Sequence, residues 1–173
     1  MLAALTLFAQ LTVTVPSDTP PPPPAQRVRA IEVSEWYARR LTLHRRLSYT
    51  VIPLFAFQYA AGRQKWDKGA AAPAWATTGH KVGAVAIGTV FLANTVTGAW
   101  NLWDSRSVEE GRARRYLHAA SMLAADAGFT WAGARLSREA ETSFEKRKLH
   151  RTVALSSIAL SVTSGLIMML TND

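Results

Sequence analysis

The chain of 173 residues is long enough for one domain and a tail, with 49% apolar and only 18% charged residues. It has no cysteine, which excludes thiol catalysis, disulfides, iron–sulfur clusters and covalent c-type haem attachment. The net charge of +8 flanks uncharged runs and forms no basic stripe interleaved with stacking aromatics, so nucleic acid is excluded and membrane lipid is the expected partner.

Residues 1–15, MLAALTLFAQLTVTV, are apolar but short for a crossing. A secretory signal is expected there, with an uncleaved peripheral helix as the alternative. Residues 16–26 hold the run Pro20 to Pro24, a stiff polyproline II spacer. Residues 27–173 are expected to form one transmembrane domain. It opens on an amphipathic interfacial helix, in which six arginines between residues 27 and 46 alternate with Ile31, Val33, Trp36, Tyr37, Leu41 and Leu43.

Four runs without charge clusters follow: Leu47–Gly62 (16 residues), Val82–Trp103 (22), Tyr116–Ala134 (19, interrupted by Asp126) and Thr152–Asn172 (21). An apolar helix of about 20 residues spans the hydrocarbon core. The fold class expected is therefore all-α: a transmembrane up-and-down four-helix bundle with a signal-like segment and an amphipathic lead-in helix. A soluble four-helix bundle is the alternative. Pro53 is expected to kink the first span. Gly83, Gly88, Gly98, Gly128 and Gly165 permit close helix approach, and Trp66, Trp75, Trp100, Trp103 and Trp131 sit where an aromatic belt belongs.

The chain has four histidines, His44, His80, His118 and His150, one at the start of each run and separated by 36, 38 and 32 residues. If the runs cross up and down, His44 meets His118 on one membrane face, and His80 meets His150 on the other. Two facing imidazoles fill both axial positions of a b-type haem, and helix bundles are a natural home for such a cofactor. The expected cofactors are two non-covalent haem b, one iron on His44 and His118 and the other on His80 and His150. Small residues one turn on (Ser48, Gly83, Ala84, Ser121, Ala154) would admit a flat porphyrin. Arg45, Lys81, Arg115 and Arg151 are candidate partners for propionates, or ordinary flanking charge. Asp126, in mid-span, either tunes a haem or relays a proton, or it is neutral and hydrogen-bonded to Thr95 or Ser161.

The segments LTLHRRLSY, TTGHKVGAV, RRYLHAASM and KLHRTVAL, within residues 41–170, together resemble the cytochrome b-561 family. The resemblance implies a four-helix core with two b-type haems, one near each face, ligated pairwise from alternate helices. It implies transmembrane electron transfer as well, either as a membrane oxidoreductase or as the membrane subunit of a redox complex. The donor is expected to be a quinol, an ascorbate-like molecule or a redox protein; the acceptor, a ferric complex or a periplasmic partner. A homodimer is left open.

The expected location is a bacterial inner (plasma) membrane, multi-pass. Lys and Arg tie at 10 on each side, and the signal-like segment alone would put His44 and His118 on the exported face. A non-redox membrane protein, either a metal-ion transporter or an assembly or structural bundle, is the alternative function, since imidazoles also suit copper and zinc.

Overall fold

Ser34 starts the first helix by accepting a hydrogen bond from the Tyr37 N–H at 3.2 Å, with Glu35 in the first turn where the helix dipole favours an anion. In the computed structural model, which describes residues 34–171, this helix (α1) runs from Glu35 to Lys68 without a break at Pro53. The lead-in and the first expected span are thus one helix from residue 35 onward. The signal-like segment, the Pro-rich spacer and residues 27–33 lie outside the described residues.

Gly69, at φ +54°, ends α1 in a backbone conformation that only glycine adopts without strain, and its N–H caps the Lys65 carbonyl. After a short turn, Pro73 leads into α2, Ala74–Asp104. Gly111, at φ +63°, precedes α3, Arg112–Thr130. A wide π-helical turn, Trp131–Leu136, extends α3 and passes into the short α4, Ser137–Thr142. Ser143 caps α5, Phe144–Leu170, through the Lys146 N–H. The described residues are all-helical, with four long helices.

α1 packs along α2 as an antiparallel hairpin, and α3 with its π-turn packs along α5 as a second one. Contact between the hairpins is thinner and runs chiefly through α2 and α3. At the centre Val51, Phe55, Ile87, Phe91 and Ala125 are buried, with Phe129, Met122, Ile158 and Val162 packed on them. The rings of Phe55, Phe91 and Phe129 lie 5.0 to 5.9 Å apart. The other buried positions include Asn94, Asn101, Ser157, Ser161 and Ser164, whereas Val85, Leu92, Val96, Leu123 and Leu166 face outward. Polar groups inside and large aliphatics outside invert the usual water-soluble pattern. Two helices, α2 and α5, are long and apolar enough to cross a membrane.

One partly buried cluster joins the ends of the first hairpin. Arg40 donates to Asp104 and, at 3.4 Å, to Asn101, and its guanidinium stacks 4.7 Å from the Trp100 ring centroid. Arg40→Ala leaves the exposed Asp104 carboxylate to solvent, so the protein in detergent should lose no more than about 1 kcal/mol in an unfolding titration. Arg40→Lys should recover only part of this, because an ammonium cannot serve Asp104, Asn101 and the indole face together.

Candidate functional site

Each hairpin carries two of the histidines, one near either end, and the four rings meet across the hairpins in two pairs. His44 of α1 and His118 of α3 have ring centroids 6.4 Å apart and planes at 84°. His80 of α2 and His150 of α5 have centroids 6.2 Å apart and planes at 65°. All four are partly buried. The levels of the two pairs are marked along α1 by His44 itself and by Gly62, which touches His80. Those 18 residues correspond to about 27 Å of helix, close to the thickness of a hydrocarbon core of about 30 Å.

The partner helix of its own hairpin orients each ring. His44 lies over Gly98, where an added methyl would sit 3.1 Å from Cε1, and His80 lies over Gly62 at the same 3.1 Å. The His44 Nδ1 is 3.1 Å from the Asn94 carbonyl and 3.1 Å from the Thr97 hydroxyl. The His118 Nδ1 is 2.9 Å from the Ser164 hydroxyl. The His150 Nδ1 is 2.9 Å from the Ala132 carbonyl, in the π-turn that re-aims the backbone of α3. A carbonyl accepts only, so His44 and His150 carry their proton on Nδ1 and present the Nε2 lone pair. That arrangement is the outer-shell support usual for a metal-ligating imidazole.

The fit to haem can be tested on these distances. An iron about 2.0 Å from one nitrogen of each of two facing imidazoles puts the ring centroids about 6.3 Å apart. Both pairs have that spacing. Among the described residues no cluster of three His, Cys, Asp or Glu side chains forms. Zinc sites take three or four protein ligands, whereas a porphyrin brings its own four nitrogens and needs only the two axial ones. The two imidazoles of each pair would be the only protein ligands that a haem iron needs.

Two of the cations selected from sequence have partners within the protein. Arg115 donates to the carbonyls of Ser105, Val108 and Glu110 and so closes the loop between α2 and α3. Arg151 stacks on Trp66, 4.6 Å from the ring centroid. A guanidinium takes such fork and stacking partners when they are near; Arg45 and Lys81 are exposed at the two ends. The small residues one turn on also have other partners. The Ser48 hydroxyl donates to the His44 carbonyl and accepts from Asn94, and Gly83 makes room for Gln58. The residues that touch the rings lie across the hairpin: Gly62, Asn94, Thr97, Gly98, Ala132 and Ser164. Asp126 accepts a hydrogen bond from Thr95, while Ser161 bonds the Ile158 carbonyl.

No family model matches the chain, and no curated protein or solved structure does either.

Proposed function

We propose that the protein is a multi-pass membrane cytochrome, a four-helix up-and-down transmembrane bundle that conducts electrons between two b-type haems, as the resemblance to the cytochrome b-561 family implies. His44 and His118 would hold one iron, and His80 and His150 the other. The observation that carries this reading is the meeting of all four histidines in two cross-hairpin pairs, each at the centroid spacing of bis-imidazole iron. The outward apolar faces and the two apolar helices support a bilayer setting, with the inner (plasma) membrane of a bacterium as its location.

The haems supply reversible one-electron chemistry. The chain's own part is structural and electrostatic. The four imidazoles would hold the irons; the Asn94 and Ala132 carbonyls fix the ring tautomers of His44 and His150, and Thr97 and Ser164 help to orient the rings. The Phe55, Phe91 and Phe129 cluster fills the space between the two levels, and so keeps water from the path. Donor and acceptor are redox molecules or proteins that reach the two ends of the bundle.

The test is a reduced-minus-oxidised absorbance spectrum of the detergent-purified protein, with haem counted per chain by pyridine haemochrome. Two b-type haems per chain are expected. No haem in a sample expressed with haem supplied would overturn the reading.

A further inference from the structure

One buried amide beyond the His44 ring has a donor to spare. The ring lies over Gly98 of α2. Asn101 follows Gly98 by three positions and Arg40 precedes His44 by four, so both share the faces that meet at the ring, about one turn nearer the end of the hairpin. The Arg40 Nε donates to the Asn101 Oδ1 at 3.4 Å, and its guanidinium also donates to Asp104. The first of these bonds fixes which way the amide faces, since the reversed amide would set one N–H against another.

The Asn101 Nδ2, on the other side of the amide, is buried and has no acceptor in the protein. The residue as a whole is only 6% exposed. A buried donor without an acceptor is costly, and native structures rarely keep one. An apolar side chain at this position would avoid that cost, so the amide marks the place of an acceptor that a ligand brings.

The other end of the hairpin follows the same register. The His80 ring lies over Gly62 of α1, and Lys65 follows Gly62 by three positions. Lys65 is partly buried and makes no ion pair among the described residues. On the helix that receives each ring, a donor thus stands one turn nearer the end of the bundle. It is an amide backed by a guanidinium at one end and an ammonium at the other.

A haem carries two propionates on one edge of its macrocycle. Charge is costly in a hydrocarbon core, so that edge belongs toward the polar end of a bundle, where Asn101 and Lys65 stand. Resting on the di-haem reading above, we infer that Asn101, backed by Arg40, holds a propionate of the haem on His44 and His118, and that Lys65 holds one of the haem on His80 and His150. Asn101 donates through Nδ2, and Lys65 through its ammonium group. Arg40 balances the Asp104 carboxylate, which would otherwise repel the propionate.

The test compares haem with haem dimethyl ester, whose propionates are capped and uncharged, each loaded into the full-length protein. Transfer of the cofactor to excess apomyoglobin measures retention, and the spectral component that His44→Ala removes identifies the first haem. Asn101→Leu should release haem from this site about tenfold faster than wild type, the effect of one charge-assisted hydrogen bond lost. Asn101→Asp should release it faster still, through repulsion between like charges. Both should affect release of the dimethyl ester far less. Lys65→Met should act in the same way on the component that His80→Ala removes. Asn101→Ala serves where leucine does not fit the site.

Equal acceleration for haem and its dimethyl ester would mean that Asn101 only packs against the site, and would overturn the assignment. So would unchanged haem retention in the Asn101 variants, with the loss appearing in Arg45→Gln instead. A wild-type chain with fewer than two b-type haems would bring down the di-haem reading itself, and this inference with it.

Discussion

His44→Ala and His118→Ala should each reduce the haem content from two per chain to one, and the double variant should lose no more than either alone. The same should hold for His80→Ala, His150→Ala and their double variant. His44→Ala combined with His80→Ala should lose both haems. These expectations follow from centroid separations of 6.4 and 6.2 Å within the pairs, against about 27 Å of helix between them. The two members of a pair act as one unit, so their effects do not add. Ligands from different pairs are too far apart to couple.

The pyridine haemochrome count reads the result directly, and the reduced-minus-oxidised spectrum shows which component remains. The pattern of double variants is more informative than any single loss. If His44→Ala and His80→Ala removed the same haem, the up-and-down arrangement of ligands would be wrong, whatever the total count. Each variant truncates one partly buried ring on a helix that stays packed along its hairpin mate, so the fold itself should survive.

Much of this arrangement could be read before any coordinates. Uncharged runs of helical length alternate with short charged loops, and that alternation gives four long helices. Once helix direction alternates, one histidine at the head of each run is enough to say which two rings come together. The residues that orient the rings were harder to see. Gly62, Gly98, Ala132 and Ser164 lie 18 to 54 positions from the histidines they touch, in runs where Ala, Gly and Ser are everywhere.

One signal was available: QYAAG and NTVTG recur at matching heights of an antiparallel pair. It acquires meaning only when the register is known. The π-turn at Trp131–Leu136 has no sequence mark such as a proline, and it appears only as the change of backbone pitch that offers Ala132 to His150. Arg115 and Arg151 were candidates for propionates because they stand beside histidines in sequence. Their guanidinium groups meet loop carbonyls and an indole face, partners that nearness in sequence does not show.

The aromatic centre was hidden for a related reason, and it carries the second large effect. In a helix as apolar as α2, no periodic stripe separates an inward phenylalanine from an outward leucine. Phe91 is 3% exposed, and its ring lies 5.9 Å from that of Phe55 and 5.0 Å from that of Phe129. Its neighbour Leu92 is 68% exposed.

Phe91→Ala removes a buried ring from between the hairpins. Where the surroundings are already apolar, the loss is mainly one of packing, so about 2–4 kcal/mol is expected rather than the full cost for a water-soluble core. Phe91→Leu keeps most of the volume and should cost less than about 1.5 kcal/mol. Leu92→Ala, one position on, should stay within about 0.5 kcal/mol. Unfolding of the three variants in the same mixed micelles measures these differences. Equal losses for Phe91→Ala and Leu92→Ala would mean that the hairpins do not meet through this ring. The expected order instead makes the Phe cluster the element that holds the two half-sites at a fixed separation, since direct contact between the hairpins is otherwise thin.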